Sequence, residues 1–205
     1  KETIVLPLND KEAVRQAVKE FGHDIACIAI EPIPANNGLL LQDKDFLLFL
    51  REICDETGIL LFFDEVISGF RVSFEGASGY YGIKPDMVAF GKIIGGGFPV
   101  GAYASSAKVM DCVAPDGPVY QAGTLSGNPV AMAAGIAQLE ECLKPGFYDE
   151  LETKTAGFVD QVQSHVASKG YPFHMFHVGS IFWLSFSNKQ HVRSATEVAE
   201  GSSEK

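Results

Sequence analysis

Ile59-Leu60-Leu61-Phe62-Phe63-Asp64-Glu65 decides the fold: five apolar residues in a row, released by Gly58 and closed by two acids. An apolar run without alternation is the signature of a strand covered on both faces, as in a parallel sheet. The same grammar extends outward from it. Upstream, Asp43–Thr57 carries Phe46, Leu47, Leu50, Ile53 and Cys54 at helical spacing, with Gly58 as its stop. Before that lies a second unbroken run, Ile25–Ile30, and an amphipathic helix over Asp10–Phe21, with Ala13, Val14, Ala17, Val18 and Phe21 on one face and Gly22 ending it. Downstream, Asp86–Phe90 and Val100–Ala104 read as further strands. Helix and strand signals that alternate from Lys1 to about Gly101 predict an α/β unit, a mainly parallel sheet with helices on both faces.

The pattern then changes. Asn128-Pro129 opens a helix to about Leu143 through Val130, Ala134, Ile136 and Leu139, since Asn caps well and Pro suits the first helical position. Lys144-Pro145-Gly146 breaks it. A longer helix carries Leu151, Phe158, Val159, Val162 and Val166 and stops near Gly170. Strand-like segments follow around Phe173–Phe176 and Ile181–Phe186, the second alternating through Phe182, Leu184 and Phe186. These signals place a domain boundary near Lys144–Gly146, so that residues 1–144 are part of a larger α/β domain and 145–205 the start of a small α+β domain. From Ser187 the tail is polar and has no finishing element.

Composition removes several function classes. The 205 residues are 46% hydrophobic and 20% charged, which supports a packed core and excludes a disordered chain. A net charge of −10 repels phosphate backbones, so nucleic acid is not an expected partner. The longest apolar runs are far short of the roughly 20 residues a membrane helix needs. Cys27, Cys54, Cys112 and Cys142 form no Cys-x-x-Cys pair and sit among apolar neighbours, which reads as buried free thiols of a cytoplasmic protein. His174 and His177 fall on opposite faces of a strand, so no metal site is expected.

Ligands of open α/β sheets sit at the carboxyl ends of parallel strands. Three such ends carry polar residues here: Glu31-Pro32, Asp64-Glu65, and Gly91-Lys92 followed by Gly95-Gly96-Gly97. An acid and a lysine on neighbouring ends form either a buried ion pair or a reactive site, because a desolvated lysine exposes its free amine as a nucleophile. Lys92 precedes the glycines, so this is no Walker-type phosphate loop, and no Gly-x-Gly-x-x-Gly follows a strand. Lys84 and Lys108 lack both the strand end and the glycine loop.

Phe63-Asp64-Glu65-Val66, Gly69-Phe70-Arg71-Val72, Lys84-Pro85-Asp86, Gly91-Lys92-Ile93-Ile94-Gly95-Gly96-Gly97 and Gly123-Thr124-Leu125-Ser126-Gly127-Asn128-Pro129 occur in that order. Together they resemble the class III, fold-type I pyridoxal-phosphate aminotransferases. Within that family, Leu125-Ser126-Gly127 and Gly69-Phe70-Arg71-Val72 resemble the glutamate-1-semialdehyde 2,1-aminomutase branch. The resemblance implies a partial large domain of that fold, with pyridoxal 5′-phosphate as cofactor and pyridoxamine 5′-phosphate as its amino form. It implies Lys92 as the lysine that holds the cofactor and moves protons, and Asp64 as the carboxylate beside the pyridine nitrogen. A carboxylate there keeps the nitrogen protonated and the ring electron-withdrawing. Val66 is implied against one face of the ring and Asn36, or its neighbour Asn37, near the ring oxygen. Thr124 is implied to reach the cofactor phosphate of a partner subunit in a homodimer. Glu31 reads as support for these groups, and Arg71 as one half of a structural salt bridge, with binding of a carboxylate as its alternative.

The implied reaction converts glutamate 1-semialdehyde, a small amino-aldehyde, to 5-aminolevulinate for tetrapyrrole synthesis. A class III aminotransferase with another amino donor, a noncatalytic fragment or interaction domain, and a nucleotide-binding module are the alternatives. By the same resemblance, a segment before Lys1 supplies the glycine-serine phosphate turn, the stacking aromatic residue, a substrate-carboxylate arginine and a gating loop. The 205 residues alone are therefore expected to be inactive.

Overall fold

Asp10 starts helix α1 (Lys11–Phe21) by accepting the Ala13 N–H on its carboxylate at 2.9 Å. A computed structural model describes residues 3–186, 192–194 and 197–198; the polar stretch Ser187–His191 and most of the tail beyond it lie outside the described residues. After α1 come β1 (Cys27–Ile30), α2 (Lys44–Thr57) and β2 (Leu60–Glu65). Then follow α3 (Gly76–Tyr81), β3 (Met87–Phe90), a 3₁₀ turn at Lys92–Gly95, and β4 (Ala102–Ser105). The chain continues through α4 (Ala107–Met110), α5 (Pro129–Cys142), α6 (Phe147–Lys169), β5 (His174–Val178) and β6 (Ile181–Ser185). Helices α3 and α4 are too short to leave a periodic signal and were not foreseen.

The four-stranded sheet runs β1-β2-β3-β4. The first three strands are parallel, with Ile30 beside Phe63 and Asp64 beside Ala89; β4 turns back antiparallel along β3. Helix α2 covers this sheet with all five expected residues buried, and Phe49 as well. Leu61 and Phe63 are wholly buried, as the apolar run required. Ile25–Ile30 departs from expectation. It is an edge strand whose Cys27 and Ala29 are exposed while Ile30 is buried, because helices cover only one of its faces. Cys27 and Cys112 are thus exposed, and only Cys54 and Cys142 are buried. Burial pushes the Cys54 thiol up to about 11.

Helix α5 also presents a different face from the one its sequence suggested. Val130 and Ile136 are exposed, and the buried residues are Ala131, Gly135 and Cys142. The reason is proximity: a Cβ on Gly135 would stand 2.3 Å from the Ile94 carbonyl oxygen, so only a small residue lets the helix approach the 3₁₀ turn. In the β5–β6 hairpin, Phe182, Leu184 and Phe186 are exposed, whereas Val178 and Ile181 join the main core. Helix α6 lies mainly over β5, so the apolar alternation of β6 is only grazed, through Phe158 and Phe182 at 5.4 Å. Within β5, His174 and His177 occupy opposite faces. Among the described residues no helix is long and apolar enough to cross a membrane.

Arg51 and Asp86 tie α2 to the start of β3 at 2.8 Å, and Asp86 also accepts the Leu61 N–H at 2.7 Å. Burial works to raise the Asp86 pKa, but these two donors outweigh it and leave the carboxyl below its usual 3.8. A depressed carboxyl contributes stability that is present above its unfolded value and lost as pH falls through the folded one. Asp86→Asn is therefore expected to destabilise the chain at neutral pH by about 1–2 kcal/mol. The gap between variant and parent should close in acid, read from urea unfolding at both pH values.

Candidate active site

Parallel register builds the site. Glu31 follows β1, Asp64 is the next-to-last residue of β2 and Lys92 follows β3, so three adjacent strand ends deliver two acids and one amine to the same edge. The half-buried Asp64 has one carboxylate oxygen, Oδ1, accepting the Val66 N–H at 3.0 Å. Among the described residues its second oxygen accepts no hydrogen bond. Strand β2 ends at Glu65, and Val66 lies just past it against Gly91, where an added Cβ would meet Val66 Cγ1 at 3.2 Å. Val66 is thereby placed beside the residue that precedes Lys92.

Glu31 senses the same assembly. Partial burial and the charge of Asp64 raise its pKa above the usual 4.5, and Lys92 partly offsets this. It therefore belongs to the electrostatics of the site, as its position suggested.

Lys92 sits at the start of the 3₁₀ turn with φ +48°. A side chain in the left-handed region costs roughly 1–2 kcal/mol. Such strain persists only where the surroundings over-determine it, and here the turn is clamped by α5. A Cβ on Gly96, itself at φ +56°, would stand 2.4 Å from the Ala134 carbonyl oxygen, and Gly135 meets Ile94 from the other side. The expectation of a desolvated lysine is not met, because Lys92 is exposed. A strand-end turn projects its side chain off the sheet edge, and nothing in these residues covers it. Lys92 instead lines an open cavity of about 530 Å³ with Arg71, Phe98 and Gln138 among others.

Asn36 and Thr124 both lie in exposed turns, and neither hydrogen-bonds to Asp64 or Lys92. Asn37 is exposed in the same turn as Asn36. Arg71 contradicts its reading as a salt-bridge partner: among the described residues no carboxylate pairs with it, and its Nε is buried without an acceptor. Arg71 follows a turn through Phe70 at φ +59°, and its side chain lines the cavity.

Two contributors were missed. Glu65, fully buried, accepts from the Ala77 and Ser78 N–H groups at 2.6 and 3.0 Å and from the Ser68 and Ser78 hydroxyls at 3.1 and 2.8 Å. Strand parity could have revealed it, since neighbours Asp64 and Glu65 must face opposite ways. Gly135 was the other, and its signal was a glycine inside a helix.

The sequence model of the Aminotransferase class-III family matches residues 2–201. The chain belongs to the class III aminotransferases. The family's cofactor is pyridoxal 5′-phosphate. An omega-transaminase from Sphaerobacter thermophilus superposes with a TM-score of 0.84 at 37% identity over 91% of this chain and 43% of its own. A beta-phenylalanine aminotransferase from Variovorax paradoxus gives 0.86 at 32% identity over 96% and 45%. A variant glutamate-1-semialdehyde aminomutase from Pseudomonas aeruginosa PAO1, in complex with PMP, gives 0.82 at 25% identity over 97% and 45%. The chain spans less than half the length of each of these structures.

The residues present fit the class III cofactor. An amine and an acid with one uncommitted oxygen stand on neighbouring strand ends, and Val66 stands between them beside a residue without a side chain.

Two substitutions test this geometry. Lys92→Gly relieves a strain that Lys92→Ala retains, so the glycine variant is expected to be more stable than the alanine variant by about 1 kcal/mol in urea unfolding. For Glu31, a raised carboxyl contributes stability that is present below its unfolded pKa and lost as pH rises through the folded one. Glu31→Gln removes that loss. The urea midpoint of the variant should therefore gain on the parent as pH rises from acid to neutral.

Proposed function

We propose that this chain contributes the lysine and the ring-nitrogen acid of a pyridoxal-phosphate enzyme that transfers amino groups on small amino compounds. The observation that carries the reading is the strained Lys92 on the strand end next to Asp64. The bound cofactor would act as an electron sink for the substrate carbon next to the migrating amino group. Asp64 accepts a hydrogen bond from the protonated ring nitrogen and holds that proton in place. Val66 packs on one ring face and keeps it oriented. The Lys92 Nζ holds the cofactor between turnovers and, once released, carries a proton to and from the substrate carbon. Asn36 donates to the ring oxygen, and Thr124 binds the phosphate of a second subunit's cofactor through its hydroxyl and turn amide. The assembled enzyme is then a homodimer of the cytoplasm, with residues from 145 onward beginning a second, smaller domain.

Two finer readings each have support. The motifs Gly69-Phe70-Arg71-Val72 and Leu125-Ser126-Gly127 favour conversion of glutamate 1-semialdehyde to 5-aminolevulinate, in which the amino group leaves one carbon and returns to another carbon of the same molecule. The higher identities to an omega-transaminase and a beta-phenylalanine aminotransferase favour transfer between two molecules. The readings differ in stoichiometry. With the cofactor in its amino form, an aminomutase turns over on one substrate, whereas a transaminase stops after one turnover unless a second oxo acid is added.

Borohydride reduction of the chain with bound cofactor, followed by peptide mapping, is expected to place the phosphopyridoxyl group on Lys92. A label mainly on Lys84 or Lys108 would overturn the assignment. Lys1–Lys205 alone is expected to bind cofactor weakly and to produce no 5-aminolevulinate, because the second oxygen of Asp64 and the Lys92 amine are the main contacts it offers. Sustained turnover by this chain would refute that expectation.

A further inference from the structure

Glu65 is the one fully buried acid among the described residues, and the reading above gives it no part. It stands in the chain between Asp64 and Val66, the two residues read as meeting the cofactor ring. Its own side chain points the other way from Asp64, to the covered side of the sheet.

From there it closes a loop. After Glu65 the chain runs out through Gly69 and Ser73 and returns as α3. The Glu65 carbonyl accepts the Gly69 N–H at 2.9 Å, which bends the chain directly after the strand. The Glu65 carboxylate then ties the two arms together. On Oε2 it accepts the Ser68 hydroxyl of the outgoing arm at 3.1 Å and the Ala77 N–H of the returning arm at 2.6 Å. On Oε1 it accepts the Ser78 N–H and hydroxyl at 3.0 and 2.8 Å. The closure has no slack. A Cβ on Gly69 would stand 2.7 Å from the Glu65 carbonyl oxygen, and one on Gly76 would stand 2.2 Å from Oε2.

The bend has a consequence on the opposite face. With the chain turned at Glu65, the Val66 N–H meets Asp64 Oδ1 at 3.0 Å, and the Val66 side chain lies against Gly91, next to Lys92. Neither contact involves a Glu65 atom. A buried ionised group contributes less to net stability than to a single geometry, since apolar packing of similar volume often serves stability as well. Four donors on one acid therefore fix a direction, and the residues whose direction is fixed are Asp64 and Val66.

We propose that Glu65 is a positioning residue of this site: the loop its carboxylate closes holds Asp64 and Val66 in one relation, so that acid and apolar contact reach the cofactor ring together. This rests on Asp64 and Lys92 being the cofactor-holding residues. The isosteric change Glu65→Gln undoes the clamp without changing its volume. Each carboxylate oxygen faces a backbone N–H, so whichever way the amide is turned its NH₂ group meets a backbone donor.

The test compares the parent chain with Glu65→Gln and Ser78→Ala in two measurements. Amide hydrogen exchange by NMR reads Val66, whose N–H lies on Asp64, against Leu61, whose N–H lies on Asp86 in the same strand. Borohydride reduction with pyridoxal 5′-phosphate then fixes the cofactor, peptide mapping locates it, and circular dichroism of the phosphopyridoxyl group is read per mole of labelled Lys92. Glu65→Gln is expected to speed Val66 exchange about tenfold relative to Leu61 and to lower the dichroism by about half. Ser78→Ala removes a hydroxyl donor and leaves the carboxylate, so it should do both to a smaller extent, and it decides alone if Glu65→Gln does not fold. An unchanged ratio of Val66 to Leu61, whether both rates rise or neither does, marks a purely structural role and overturns the proposal. A faster Val66 with unchanged dichroism overturns it as well. In either case a labelled Lys92 in the parent leaves the site reading intact. A parent that takes the label elsewhere, or not at all, overturns the site reading and this proposal with it.

Discussion

The buried carboxylate of Glu65 is the interaction on which the site depends. A charge with no exposure survives only when its lone pairs are filled, and Glu65 fills them with four donors from Ser68, Ala77 and Ser78. Those donors lie on the loop after β2 and at the start of α3, so one side chain fastens the whole crossover between β2 and β3. Parity does the rest. With Glu65 locked to the covered side of the sheet, Asp64 must point to the other, toward the strand end that carries Lys92. Gly76 shows how closely the loop is drawn in, since a Cβ there would lie 2.2 Å from Glu65 Oε2.

Strain is concentrated around that edge. Lys92 and Phe70 both hold positive φ, and each is restrained by contacts distant in sequence: Lys92 by the small-residue face of α5, Phe70 by its aromatic neighbours and by Tyr148 and Ser180. Unfavourable backbone at a functional edge exchanges stability for a fixed direction of approach. Lys92 lines one cavity and Phe70 precedes Arg71, which lines the same cavity, so helices α5 and α6 and the β5–β6 hairpin, remote from the acids in sequence, matter to a site built on the strands. The hairpin reaches the core through Val178 and Ile181 and at the same point supplies Ser180 to the Arg71 backbone.

Much of the fold is legible in the sequence because its signals are local. Unbroken apolar runs mark β1 and β2, a heptad-like face marks α2, and Asn128-Pro129 sets the start of α5, where the Asn128 carboxamide accepts from Val130 and Ala131 as a cap should. The acids and the lysine are legible too, because polar residues directly after buried strands stand at the sheet edge wherever that sheet is built.

What the sequence could not decide depends on which neighbour lies across each face. Periodicity shows that β1 and β6 are apolar, yet Cys27, Ala29, Phe182 and Leu184 are exposed because the elements beside them cover only part of each face. It likewise pointed to Val130 and Ile136 on α5, whereas the packed face is Ala131, Gly135 and Cys142, chosen by how near the Lys92 turn must come. Arg71 is the sharpest case. Its charge suggested an ion pair, but only a turn braced from α6 and the β5–β6 hairpin determines that the guanidinium lines the Lys92 cavity with no carboxylate partner among the described residues. The residues able to hold a cofactor are thus written locally, in strand ends and their spacing. The side of each helix that packs and the direction in which Arg71 projects are set by long-range contacts, which a linear pattern does not encode.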